Sequence, residues 1–207
     1  DGVKPPALSR RAWSETFRSG PLMVCIAVTV LYSAGQFVLF SYFAPYFKHS
    51  LSASPLDLSL FFAWFGLFGF LGNMWMSRQI DRLGASRAVN LGIASMALSL
   101  ALWPLGVTVV LTSLVAVPWA LGCFASNSAQ QARLAGMAPG LASASIALNS
   151  SAMYAGQAIG AASGGALIAA GQMSLLNWYG LAGLLSALGL SSYATHLLRR
   201  RSAHRQP

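Results

Sequence analysis

The run Ser77-Arg78-Gln79-Ile80-Asp81-Arg82-Leu83-Gly84-Ala85-Ser86-Arg87 separates two long apolar stretches, and its reading decides the fold. Four charges in eleven residues cannot sit in hydrocarbon. Gly84 permits the positive φ of a tight reversal between two helices. Asp81 can accept hydrogen bonds from helix N-terminal amides, and Arg82 and Arg87 can bridge carboxylates or phosphates. A plain solvated turn between two membrane-crossing helices would carry the same residues.

On either side of this turn the chain is built for lipid. Its 207 residues are 56% hydrophobic and 8% charged, with a mean hydropathy of +0.59. In a soluble globular domain about a quarter of the residues are charged. Six apolar stretches, at about 21–47, 56–77, 88–105, 107–131, 141–171 and 174–197, are each long enough to cross a hydrocarbon core. The first and fifth exceed its thickness, so they must tilt, kink or extend past it. Pro45 and Pro139 mark expected helix ends. Pro104-Leu105-Gly106 turns the third stretch into the fourth, and Gly171 to Ser174 turns the fifth into the sixth. Six spans leave no sizeable water-soluble domain, which excludes most enzyme folds.

The charges agree with that count. Lys4, Arg10, Arg11 and Arg18 precede the first span; Arg78, Arg82 and Arg87 follow the second; Arg133 follows the fourth; and Arg199, Arg200, Arg201 and Arg205 follow the sixth. Twelve of the 13 basic residues thus fall on one side of the membrane, against Lys48 on the other. Under the positive-inside rule both termini are cytoplasmic. The excess of 13 basic over 4 acidic residues is therefore a topology signal and not a nucleic-acid footprint. The tail arginines also attract anionic lipid headgroups, at about 1 kcal/mol each. The span interiors hold no Asp, Glu, Lys or Arg, so the chain offers no intramembrane proton carrier.

Cys25 and Cys123 lie singly in apolar stretches, far from any His cluster, and read as packing residues. The opening Asp1-Gly2-Val3 has no initiator Met and no signal-peptide pattern, which points to a fragment or a processed start. His49, His196 and His204 have no second ligand at metal spacing. No phosphate loop, serine elbow or pairing of nucleophile and base appears, so neither an enzyme nor a cofactor or metal site is expected.

The run Asp81-Arg82-Leu83-Gly84 followed by Arg87 resembles the signature loop of the major facilitator superfamily, which recurs in both six-helix halves of those transporters. Ser77 stands where the family motif has Gly, and Ala85-Ser86 precede the basic residue, which suits the degenerate second copy. The segment from Gln131-Ala132-Arg133-Leu134 through Met137-Ala138-Pro139-Gly140 and Ala147-Leu148-Asn149-Ser150-Ser151 to Gly156-Gln157-Ala158-Ile159-Gly160 resembles the tenth-to-eleventh helix region of bacterial drug and sugar efflux antiporters. The resemblance implies an all-α inner-membrane protein whose six transmembrane helices form one half, the C-terminal one, of a 12-helix bundle. It implies a cytoplasmic linker over 1–20, a six-helix unit over 21–198 and a basic tail over 199–207. It also implies a gating role for Asp81, Arg82, Gly84 and Arg87, a small-molecule substrate, a missing N-terminal six-helix partner, and a coupling carboxylate in that partner.

The helix faces supply candidate contacts. Tyr32, Gln36, Phe40 and Phe43 fall within about 80° of arc on the first span, a stripe that belongs inside a bundle. Gln36 either bonds a neighbouring helix or lines a wet cavity. Asn149, Met153 and Gln157 descend one face of the fifth span, with Tyr154 beside them. Tyr32, Gln36, Phe40, Asn149, Met153 and Gln157 are accordingly the expected substrate contacts. Asn127, Gln130 and Gln131 suggest capping or interfacial solvation, and Asn73 an interhelical hydrogen bond. Gly156, Gly160 and Gly164 form a flat ridge for close helix packing. The activity that the resemblance implies is proton-coupled efflux of small or drug-like molecules by alternating access. A self-sufficient six-helix pore or scaffold, acting as a homo-oligomer, is the alternative.

Overall fold

The computed structural model describes residues 9–203, with side chains over 9–196. The first eight residues of the expected linker and Arg205 of the tail therefore lie outside what is described, as do the side chains of Arg199, Arg200 and Arg201. Among the described residues nine α-helices follow one another: α1 (Arg10–Arg18), α2 (Gly20–Phe40), α3 (Phe43–Leu51), α4 (Pro55–Leu83), α5 (Ala85–Leu102), α6 (Val109–Val115), α7 (Val117–Met137), α8 (Ala142–Ala169) and α9 (Leu176–Ala203). Short 3₁₀ turns, Trp103–Leu105, Pro139–Leu141 and Met173–Leu175, stand where Pro104, Pro139 and the Gly171 region were expected to break the chain.

Several boundaries differ from the expectation, each for a local reason. Pro45 does not end a helix. It lies in the first turn of α3, where its missing N–H has no intrahelical acceptor to lose, and α3 runs on to Leu51. The segment expected as a linker contains α1, capped by Ser9, whose side chain accepts from Ala12 N, and crossed by an Arg11–Glu15 ion pair at 2.7 Å. The Arg11 guanidinium is held above its ordinary pKa by that hydrogen bond and charge. Pro118 separates α6 from α7, because it cannot donate to the carbonyl one turn back. Ser95 and Ser99 of α5 donate to the Pro118 and Val115 carbonyls at this break.

The turn at 77–87 is mostly helical, with α4 continuing through Arg82 to Leu83 and α5 starting at Ala85. Only Gly84 leaves the helix, at φ 81° and ψ 137°, a region that a side chain makes costly. Gly84→Ala should lower stability by about 1–3 kcal/mol, read as a fall in unfolding temperature; no fall would mean that the turn relaxes without strain.

Five helical segments combine the length and hydropathy to cross a bilayer: Gly20–Leu51, Pro55–Leu83, Ala85–Leu105, Val109–Met137 and Met173–His196. Of the six expected spans, α8 falls outside this set: it has the length, 28 residues, but is dominated by Ala, Gly and Ser, with Asn149 and Gln157. Such a helix is suited to helix contact rather than to lipid all round.

The packing has an internal symmetry. α2 packs on α8 and α9, while α7 packs on α4 and α5, and α5 meets α9. The first helix of each three-helix set thus lies against the second and third helices of the other, as in inverted repeats. The contacts are close because glycines remove the obstacle. A Cβ built at Gly156, Gly160 or Gly164 of α8 would collide with the carbonyl oxygen of Val30, Ala34 or Val38 of α2. The same spacing of four residues on both helices brings two backbones together along three turns. Tyr42 closes the seam, donating from its hydroxyl to Ala161 O at 2.7 Å.

Aromatic side chains fill the centre. Phe43 stacks on Trp103 at 5.6 Å and meets Trp119 edge-on at 5.2 Å, and Phe61, Phe65 and Phe40 complete the cluster. α4 contributes one narrow face, Phe61, Phe65, Gly69, Gly72 and Met76; Phe62, Trp64, Leu67, Phe70 and Trp75 on its other faces are exposed.

Candidate functional site

The polar residues expected on two separate faces meet in the seams between α2, α7 and α8. Gln36 is buried, and its Oε1 accepts an interhelical hydrogen bond from Trp119 Nε1 at 3.2 Å. Phe40 is half-buried beside Trp119 and Phe65, at centroid distances of 6.1 and 5.6 Å. Tyr32 is 1% exposed, and its hydroxyl is without a partner among the described residues.

A second node lies nearer the basic end of the bundle. Asn149 is fully buried; its Oδ1 accepts from Thr29 Oγ1 at 2.6 Å, and its Nδ2 donates to Asn127 Oδ1 at 3.3 Å. Gln130 Nε2 donates to Cys25 O at 2.6 Å and to Thr29 Oγ1 at 3.2 Å. Three helices are thereby tied by one side-chain network, whose buried amides have water excluded as a competitor. Capping and interfacial solvation, the roles expected for Asn127 and Gln130, are corrected: Gln130 is 0% exposed, seven residues before the end of α7. Thr29 carried no signal of its own, since a threonine in an apolar run is common. Its facing Asn149 and Gln130 is a tertiary fact.

Three of the six expected contacts, Tyr32, Gln36 and Asn149, therefore face neighbouring helices, whereas Phe40, Met153 and Gln157 are half-buried and keep surface open. Met153 and Gln157 continue the Asn149 face of α8 by steps of four residues. Asn73, as expected, bonds across helices, accepting from Ser128 Oγ at 2.7 Å.

The 77–87 turn carries its charges outward. Asp81, Arg82 and Arg87 are exposed, and among the described residues none is within ion-pair distance of an opposite charge. The expected placing of Arg133 in a loop is corrected as well. It lies in α7, four residues before the helix ends, and is 3% exposed. Its guanidinium reaches α9, donating to Ser191 Oγ at 2.9 Å, Ser191 O at 3.2 Å and Thr195 Oγ1 at 3.1 Å. Among the described residues no three His, Cys, Asp or Glu gather as a metal site.

A helical bundle tied by glycine seams, with a charged reversal between its second and third long helices, fits a membrane protein. Comparison with known proteins agrees. The chain is 24% identical over 195 residues to the uncharacterized MFS-type transporter YbcL of Bacillus subtilis (strain 168), a match covering 91% of this chain and 48% of that protein. The chain thus spans about half the length of this relative. The sequence pattern of the Major Facilitator Superfamily matches residues 24–207. The chain is therefore an integral membrane protein that belongs to the major facilitator superfamily, a family of transporters and not of enzymes.

Proposed function

We propose that the chain is the C-terminal half of a 12-helix secondary transporter of the bacterial inner membrane, which exports small or drug-like molecules in exchange for protons by alternating access. The observation that carries this reading is the unfinished surface of α4 and α8. α7 lies between them, and they make no substantial contact with each other. α4 leaves most of its aromatic and aliphatic side chains uncovered, and α8 exposes Ser151, Ala155, Ala158 and Ala162 opposite its glycine ridge. A second six-helix block set against these helices would cover them and enclose a cavity. The 48% coverage of the relative supports the same division.

In this reading Phe40, Met153 and Gln157 meet the substrate, while Tyr32, Gln36 and Asn149 hold their helices in register. The turn with Asp81, Arg82, Gly84 and Arg87 lies at the cytoplasmic face together with both termini, and rocks with α4 and α5. The span interiors of this chain contain no buried carboxylate among the described residues, so the proton is carried in the companion half.

The intact protein in proteoliposomes, given an inward proton gradient, should move protons on addition of a drug-like cation, followed with a pH-sensitive dye. Gln157→Ala or Phe40→Ala should reduce that flux by about tenfold at unchanged protein level, a loss of about 1.4 kcal/mol of interaction. Undiminished flux in both would remove these residues from the pathway. A symmetric oligomer of this chain alone that conducts ions passively would establish a pore in place of a transporter half.

A further inference from the structure

We propose that the cleft between the α4–α5 turn, the end of α7 and α9 binds a phosphate group, free or carried on a lipid headgroup. The cleft has a volume of about 520 Å³ and is lined by Gly84, Ser86, Arg87, Arg133 and Thr195 among others; two of its lining residues are cationic and none is acidic.

Three features point to an oxyanion. α5 begins at this cleft with 18 residues of helix behind it, and Gly84 at its N-cap supplies no side chain to its first amides. Uncapped amides and the helix dipole favour negative charge there. Independently, Arg133 is a cation 3% exposed with no carboxylate within ion-pair distance among the described residues. A buried guanidinium is normally paired. Ser191 and Thr195 accept three hydrogen bonds from it, all neutral, and its Nε is buried without a partner. A guanidinium has five N–H donors, so the set is incomplete. Arg87 lines the same cleft from the first turn of α5 and is exposed, available to close over an anion.

A phosphate suits this geometry better than a carboxylate. It offers oxygens in several directions at once, to a guanidinium fork on one side and helix amides on the other. The cleft lies at the end of the bundle formed by the α4–α5 turn and the last turns of α7, with Thr195 of α9, level with lipid headgroups if the chain crosses the membrane as its charges indicate.

The test uses the intact protein, purified and stripped of lipid in detergent. Thermal unfolding is followed by tryptophan fluorescence while inorganic phosphate replaces chloride at constant ionic strength. A parallel series adds phosphatidylglycerol or a phosphate-free glycolipid. Phosphate, phosphatidylglycerol or both should raise the unfolding temperature by several degrees, with no rise from the glycolipid. Arg87→Gln should weaken the response about tenfold, and Arg133→Gln should abolish it. A response to inorganic phosphate assigns a soluble anion; a response to phosphatidylglycerol alone assigns the headgroup. Should Arg133→Gln fail to fold, Arg87→Gln still decides, because Arg87 is exposed. No stabilisation by either probe, or an unchanged response in the folded variants, overturns the proposal.

Discussion

Gly160→Leu should abolish recovery of folded protein. A side chain at this position begins with a Cβ that collides with the backbone of Ala34, at the middle of the α2–α8 seam. Backbone cannot rotate aside as a side-chain tip can, so the two helices must separate along all three glycine contacts. Gly160→Ala, which adds one methyl, should cost about 1–3 kcal/mol, the usual range for overpacking. Gly66 gives the control. A Cβ there meets nothing within 4 Å, so Gly66→Ala should be neutral or stabilise by up to about 1 kcal/mol through helix propensity alone. The comparison is read as monodisperse yield in detergent and as unfolding temperature. Equal tolerance of alanine at both positions would show that the seam is looser than its geometry.

Trp119→Ala should produce the second large loss. Trp119 is fully buried, and its ring meets Phe40, Phe43, Phe65 and Trp103 at centroid distances between 5.2 and 6.1 Å. Removal leaves a cavity in the aromatic core and strands the Gln36 Oε1 acceptor. In soluble cores such a truncation costs about 3–5 kcal/mol. Lipid tails are as apolar as the core, so the transfer part is weaker here and the lost packing dominates. A loss of about 3 kcal/mol is expected. Trp119→Phe separates the two contributions, since it keeps most of the ring volume and removes only the indole donor. It should cost about 0.6–2 kcal/mol, the range for interhelical hydrogen bonds in membranes. Circular dichroism during thermal unfolding measures both. A phenylalanine variant as unstable as the alanine one would make the hydrogen bond the larger contribution.

The two expectations rest on different kinds of legibility. The glycine ridge of α8 was visible from its spacing alone, since a repeat of four residues places small residues on one line whatever lies opposite. That the opposite line is Val30, Ala34 and Val38 of α2 was not, because an apolar run of β-branched and small residues has no mark of close approach. The reversal at Gly84 and the turns at Pro104 and Gly171 were likewise local, set by residues that a regular helix rejects.

The seams themselves were decided by tertiary structure. In a soluble protein an apolar residue points inward, so hydropathy reports burial. In a bilayer an apolar residue is equally at home facing lipid or facing another helix, and hydropathy reports only that the segment crosses. Phe61 and Phe62 are neighbours of one type, the first 1% and the second 41% exposed, and nothing in the residues themselves separates them. Polar residues were ambiguous for the opposite reason. Gln130 and Arg133 near a helix end satisfy the rules for a solvated terminus, and only the arrival of Thr29 from α2 and of Ser191 and Thr195 from α9 makes burial affordable. The pattern of apolar, glycine and basic residues therefore determined that the chain is a bundle of membrane-crossing helices. Which faces meet, and which polar groups are enclosed, depended on contacts between residues distant along the chain, as between Arg133 and Ser191 or between Thr29 and Asn149.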